Sequence, residues 1–85
     1  MYEVLLTKQA IKDLRMIERT SMRARVSMLL NMLEQNPFQN PPPYEKLQGE
    51  TQTYSRRINI QHRLVYEVYQ TQQKIKVIRV WSHYE

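Results

Sequence analysis

The chain of 85 residues contains no cysteine, and only two histidines and eight acidic residues are present. Without thiols it can form no disulfide, no thiolate nucleophile and no cysteine-ligated zinc site. Two histidines among so few carboxylates also make a metal cluster unexpected, so we predict a protein that uses neither a metal nor another cofactor. This composition suits a reducing compartment, or one in which redox state is unimportant.

Long apolar runs are missing as well. The longest is too short to cross a bilayer, and the first residues lack the charged-then-apolar pattern of a secretory signal. We therefore expect a cytoplasmic protein that does not associate with membranes. A chain of 85 residues has room for one hydrophobic core, so residues 1–85 are predicted to form a single domain.

Basic residues outnumber acidic ones, which gives a formal net charge of +5 and a pI near 9.7. Such an excess on a small surface attracts polyanions and speeds encounter with them. Nucleic acid and an acidic protein are therefore the leading candidate partners. A cationic surface that only aids solubility is the alternative, and charge alone does not decide between them.

The first half of the sequence predicts one strand and two helices. Residues 2–6 are a short apolar run typical of a strand, and Thr7 follows as a helix N-cap. A second cap is predicted at Thr20-Ser21, and Pro37 is expected to stop the second helix. Residues 35–44 then form a proline-rich connection for which polyproline II geometry is expected. The helical stripes consist of Ala10, Ile11, Leu14 and Ile17, followed by Val26, Leu29, Leu30 and Leu33.

The last third is rich in Val, Ile, Tyr and Arg with period-two alternation, which predicts strands at residues 53–58, 63–69 and 75–81. The short polar breaks between them suit hairpins, so an antiparallel sheet is expected. The predicted fold is α+β, with two N-terminal helices packed on one face of a small antiparallel sheet and the other face left open.

Alternation predicts which side chains share a face of this sheet. Arg63, Val65, Glu67 and Tyr69 are expected opposite Leu64, Tyr66 and Val68. If the last strand is regular, Arg79, Trp81 and His83 lie on one side with Ile75 and Val77. A phosphate-binding cluster is expected from four arginines on neighbouring strands, and four aromatic residues are candidates for stacking on bases, with Tyr66 favoured as a core residue instead. The arginines are Arg56, Arg57, Arg63 and Arg79, and the aromatic residues are Tyr54, Tyr66, Trp81 and Tyr84.

Residues 54–66 read Tyr-Ser-Arg-Arg-Ile-Asn-Ile-Gln-His-Arg-Leu-Val-Tyr, and His83-Tyr84 follow seventeen residues later. These segments together resemble the RelE superfamily, specifically its Txe/YoeB branch of type II toxins. Residues 43–47, Pro-Tyr-Glu-Lys-Leu, are similar to the Pro-Glu-x-Leu segment of that branch with one residue inserted. The similarity is dense over residues 43–85. Trp81-Ser82 replaces the more usual basic-aromatic pair before His-Tyr, which bears on cleavage preference.

This resemblance implies a RelE-like microbial RNase fold and a ribosome-dependent mRNA interferase. By position, Glu45 matches the general base, Arg63 the phosphate-binding arginine, His83 the general acid and Tyr84 a residue that orients the substrate. Arg57 and Arg56 match basic residues lining the same groove. Lys46 and Arg79 complete the predicted set of RNA-binding residues.

The residue types suit this chemistry independently of the resemblance. Metal-free RNA cleavage requires a base for the 2′-hydroxyl, a positive charge for the phosphorane and an acid for the departing 5′-oxygen. A carboxylate, a guanidinium that is always charged and an imidazole with a pKa near neutrality supply these functions.

The expected partners are a cognate YefM/Axe-like antitoxin, the ribosome and its mRNA. Operator DNA is expected only for the toxin–antitoxin complex, and a homodimer is possible. Two alternatives remain: a ParE-like binder that inhibits gyrase, and a non-catalytic module that binds nucleic acid or antitoxin. Glu45 and His83 discriminate among the three readings, because a pure binder has no need of an acid–base pair.

Overall fold

A computed structural model describes residues 1–47, 49 and 52–81 of the chain. In this range two helices cover one face of a five-stranded sheet whose strand order is β1-β5-β4-β3-β2. The elements in chain order are β1 (Glu3–Leu6), α1 (Lys8–Ile17), α2 (Arg23–Gln35), β2 (Tyr44–Lys46), β3 (Thr53–Arg57), β4 (Arg63–Tyr69) and β5 (Lys74–Trp81).

Local sequence explains most of the helix boundaries. The Thr7 hydroxyl accepts a hydrogen bond from the Ala10 N–H at 3.0 Å and begins α1, as predicted. The predicted cap at residues 20–21 is wrong. The α2 helix begins after Met22 without a side-chain cap, because the Thr20 hydroxyl instead accepts from the Met22 N–H within the turn. It ends at Gln35, two residues before Pro37.

The hydrophobic core lies between the helices and the sheet, and it uses the predicted faces. Leu29 and Leu33 of α2 are fully buried and belong to the same core cluster as β4 residues that alternate along the strand. The α+β prediction, with both helices on one face of the sheet, is therefore confirmed. The described residues contain no helix with the length and apolar character needed to cross a membrane. The β4 side chains that point into the core are Leu64, Tyr66 and Val68.

Two features of the sheet differ from expectation. The strands β2 to β5 pair antiparallel, but β1 adds to the edge in parallel with β5, with Val4 opposite Ile75, so the sheet is mixed. The proline-rich connection differs from the expected polyproline II segment, because the chain turns at residues 37–38 and bends at residues 41–42. The strand β2, which was not predicted, then begins at Tyr44.

A β-bulge divides β5 and changes which of its side chains share a face. Val65 lies opposite Arg79 and Tyr66 opposite Val77, so the intervening Ile78 is the additional residue. After the bulge, Val80 joins the core, whereas Arg79 and Trp81 lie on the open face. The expectation that Arg79 and Trp81 share a face with Ile75 and Val77 is therefore wrong, because it assumed an unbroken alternation.

Candidate active site

A groove of about 220 Å³ lies on the open face where β2, β3 and β4 meet. The strand register brings its residues together, because Glu45 lies opposite Ser55 and Arg57 lies opposite Arg63. Residues on neighbouring strands that pair in this way have side chains on the same face. The groove is lined by Pro43, Tyr44, Glu45, Ser55, Arg57 and Arg63.

An ion pair between Arg63 and Glu45 spans this groove. The Arg63 Nη1 donates to Glu45 Oε1 and also to the Ser55 hydroxyl, the latter at 3.2 Å. The Arg63 side chain is 18% exposed and that of Glu45 is 65% exposed. An ion pair with so exposed a carboxylate contributes at most about 1 kcal/mol, so an incoming anion can take the place of the carboxylate at low cost.

Arg57 adds positive charge beside this pair, whereas Lys46 does not. Arg57 is exposed and lies on the same face as Arg63. Lys46 follows Glu45 directly on β2 and lies opposite Tyr54, so its side chain points to the other face of the sheet. The structure therefore does not bring Lys46 into the groove.

Arg56 is not a groove residue, contrary to the prediction. It follows Ser55 on β3 and points toward the core side, where it is fully buried. Its guanidinium donates to the Tyr66 hydroxyl at 3.0 Å and to three main-chain carbonyl oxygens, at 2.9, 2.8 and 2.6 Å. Consecutive residues of a strand face opposite sides, so Arg56 and Arg57 cannot both line one surface. The three carbonyls belong to Pro37, Gln39 and Pro42.

These bonds fasten the proline-rich connection to the sheet, just before β2 presents Glu45. The Tyr44 ring lies 4.9 Å from the Arg56 guanidinium carbon and packs edge-to-face against Tyr54. Burial raises the pKa of the Tyr66 hydroxyl above its usual value, although Arg56 opposes that shift. Arg56 therefore supports the position of the groove rather than its chemistry.

Arg79 lies on the open face, yet its guanidinium turns away from the groove. It forms an ion pair with Asp13 of α1, with Nε 2.9 Å from Oδ2, and it lies 3.4 Å from the centre of the Trp81 ring. Burial alone raises the pKa of Asp13, but hydrogen bonds from Arg79 and the Val80 N–H outweigh it and leave that pKa below its usual value. The prediction that Arg79 joins the groove arginines is therefore not met.

The sequence of residues 6–84 matches the profile of YoeB-like toxins of bacterial type II toxin–antitoxin systems. The chain belongs to this family. A sequence comparison with curated proteins gave no match.

Solved structures agree with that assignment. The toxin superimposes on the YoeB/ParE toxin from Agrobacterium tumefaciens with a TM-score of 0.86 at 29% identity, covering 96% of this chain and 99% of that one. The YoeB dimer from Staphylococcus aureus gives 0.82 at 31% identity, with 98% of each chain covered. The same protein in a heterotetrameric complex with YefM gives 0.80 over 99% of each chain at 31% identity. RelE from the RelE–RelB complex of Pyrococcus horikoshii OT3, at 24% identity, covers 95% of this chain and 93% of that one with a TM-score of 0.80, and shares the fold.

Two predicted catalytic residues of the toxin, His83 and Tyr84, lie outside the described residues, and their roles stay predictions. The last described residue, Trp81, lies opposite Arg63 on the neighbouring strand. Among the described residues there is no cluster of three or more histidines or carboxylates suited to a metal ion.

Sequence reasoning did not predict three of the groove-lining residues, Pro43, Tyr44 and Ser55, and of these Ser55 bonds directly to a predicted catalytic residue. Ser55 is almost fully buried and accepts a hydrogen bond from Arg63, so it holds the guanidinium in the groove. Its place was available from the alternation of β3, because Ser55 and Arg57 are two residues apart and share a face.

Proposed function

We propose that this toxin is an endoribonuclease that cleaves mRNA on translating ribosomes, without a metal, by attack of the 2′-hydroxyl on the adjacent phosphorus. The observation that carries the proposal is the contact between Glu45 and Arg63 in a solvent-open groove with Arg57 beside them. A carboxylate and a phosphate-binding cation therefore lie within reach of one phosphodiester.

Each residue has a distinct task in this mechanism. Glu45 removes the proton from the 2′-hydroxyl, while Arg63 and Arg57 bind the phosphate and stabilise the negative charge of the phosphorane. His83 donates a proton to the departing 5′-oxygen, and Tyr84 orients the substrate. Arg56, Lys46 and Arg79 have no part in it, because their side chains are directed elsewhere.

The ion pair between Arg63 and Glu45 fits the free enzyme. A phosphate is a bidentate partner for a guanidinium, and its charge competes directly with that of the carboxylate. When RNA enters the groove, Arg63 exchanges the carboxylate for the phosphate, and Glu45 becomes available to the 2′-hydroxyl. Ser55 remains bonded to Arg63 and limits how far the guanidinium moves.

The proposed partners follow from the family. The Staphylococcus aureus relative has been solved with YefM and as a dimer, and we expect a YefM/Axe-like antitoxin for this chain. An acidic antitoxin segment complements the net charge of +5 and would block the groove. Ribosomes and mRNA are the expected targets, operator DNA is expected only for the toxin–antitoxin complex, and a homodimer is a further possibility.

Induction of wild type, Glu45→Gln and His83→Gln in cells tests the mechanism, with mapping of the 5′ ends of transcripts with and without translation. Loss of one acid–base group should reduce cleavage about 10²–10⁴-fold while the protein stays folded. Glu67→Gln is the matched control, because this carboxylate shares the open face with Glu45 but lies outside the groove.

Two results would contradict the proposal. Equal toxicity of both variants and wild type would exclude the acid–base mechanism. DNA damage while translation continues would instead favour the gyrase-inhibiting alternative.

A further inference from the structure

Trp81 lies at the edge of the proposed catalytic groove, in the same row of side chains as its arginines. In the register of the sheet, Arg57 of β3 lies opposite Arg63 of β4, and Arg63 lies opposite Trp81 of β5. Side chains that are directly opposite each other on neighbouring strands begin about 5 Å apart. A nucleotide whose phosphate is bound by Arg63 therefore has an indole ring within reach of its base.

The indole is held in place from one side. Arg79 lies 3.4 Å from the ring centre, and its own guanidinium is tied to Asp13 through Nε and Nη2, at 2.9 and 3.3 Å. Asp13 also accepts the Val80 N–H at 2.9 Å, so the same carboxylate fixes the main chain beside Trp81. These contacts connect α1 to the end of β5 and limit the orientations open to the ring.

The remaining surface of Trp81 is not buried in the core. The residue is half-buried, because the bulge at Ile78 places it on the open face rather than among the helices. An aromatic ring backed by a guanidinium and bordered by phosphate-binding arginines is the arrangement that proteins use to stack the bases of single-stranded RNA.

We propose that Trp81 is a base-stacking residue of the toxin, positioned by Asp13 and Arg79, and that it stacks on the base next to the cleaved phosphodiester. Stacking should be stronger with a purine than with a pyrimidine, because a purine offers a larger ring surface to the indole. The inference rests on the proposed function for its substrate, single-stranded mRNA.

Trp81 is the only tryptophan in the chain, so its fluorescence reports directly on stacking. Wild-type toxin is titrated with 2′-O-methyl oligoribonucleotides, which lack the attacking hydroxyl, carrying a purine, a pyrimidine or an abasic site at the test position. We expect saturable quenching that is strongest with the purine and absent with the abasic site. Equal fluorescence throughout the three titrations, up to millimolar oligonucleotide, would overturn the proposal.

Cleavage of ribosome-bound mRNA by Trp81→Leu and Trp81→Phe gives an independent test. We expect Trp81→Leu to raise KM about 10-fold with little change in kcat and to lose the purine preference. Trp81→Phe should show a smaller rise in KM and keep part of the purine preference. Tyr69→Leu is the matched control, because Tyr69 is a half-buried aromatic residue on the same face at the far end of β4. Thermal melts confirm that each variant is folded.

The outcomes separate this inference from the proposed function. If Trp81→Leu keeps the KM and purine preference of wild type while Glu45→Gln loses cleavage, the stacking role is wrong and the nuclease assignment stands. If wild type cleaves no RNA, the nuclease assignment fails, and the fluorescence titration alone decides whether Trp81 binds bases.

Discussion

Replacing Arg56 with methionine should destabilise the toxin strongly, although the residue has no place in the proposed chemistry. The substitution keeps an unbranched side chain of similar length but removes every donor. Pro37 retains the Tyr66 hydroxyl as a donor, at 3.3 Å, whereas the carbonyls of Gln39 and Pro42 lose their bonds from Arg56. The proline-rich connection before β2 is then no longer fastened to β3.

The magnitude follows from those two carbonyls. A polar group left buried without a partner costs about 1–3 kcal/mol, and both carbonyls are partly buried, so the combined loss should be about 2–4 kcal/mol. A domain of this size has a total unfolding free energy of about 4–13 kcal/mol. The midpoint of thermal unfolding of the variant should be lower than that of wild type by about 10–30 °C.

Urea unfolding followed by circular dichroism measures this loss, and Arg57→Met is the matched control. Arg57 is the adjacent residue of the same type but is exposed, so its replacement should change the unfolding free energy by less than about 0.5 kcal/mol. If Arg56→Met were as stable as Arg57→Met, the buried hydrogen bonds of Arg56 would not support the fold. A variant more stable than wild type would show that burying the guanidinium costs more free energy than its hydrogen bonds contribute.

Three further substitutions test other contacts. Asp13→Asn should lower the free energy of unfolding near neutral pH. Because the pKa of Asp13 is depressed in the folded state, the stabilisation by its carboxylate declines as the pH falls below about 4, and wild type and variant should converge in acid. A constant difference in urea midpoint between pH 7 and pH 3 would contradict this. Thr7→Ala should cost about 1 kcal/mol or more, because the hydroxyl caps α1 and donates to the Ile78 carbonyl at 2.9 Å, whereas Thr7→Ser should retain most of this stability. Ser55→Ala should reduce kcat/KM for ribosome-bound mRNA about 2- to 10-fold through its bond to Arg63, and an unchanged value would show that the guanidinium does not depend on it.

The elements of the fold were largely predictable because their signals are local. The β4 strand spans residues 63–69 as predicted, and its core and open faces follow the period of two. The Thr7 cap and the stripe of α2 needed only a few neighbouring residues to be identified. Parallel addition of β1 to β5 was not predictable in this way, since that pairing joins residues about seventy positions apart.

The same distinction between local signals and long-range pairing applies to the candidate site. The family resemblance nominated Glu45, and strand positions also nominated Arg57 and Arg63, but only the pairing of β3 with β4 placed these two arginines on one face. The ion pair between Glu45 and Arg63 depends on β2 docking beside β3, and β2 lies in a segment whose local signal favoured an extended linker.

The sequence by itself determined the helices, the main strands, the excess of positive charge and the residue types available for acid–base chemistry. Tertiary structure decided which arginines face the groove. Arg56 is held by carbonyls 14 to 19 residues away, and Arg79 is held by a carboxylate 66 residues away. A guanidinium carries its charge wherever it lies, so its role depends on which acceptors the folded chain places within hydrogen-bond distance.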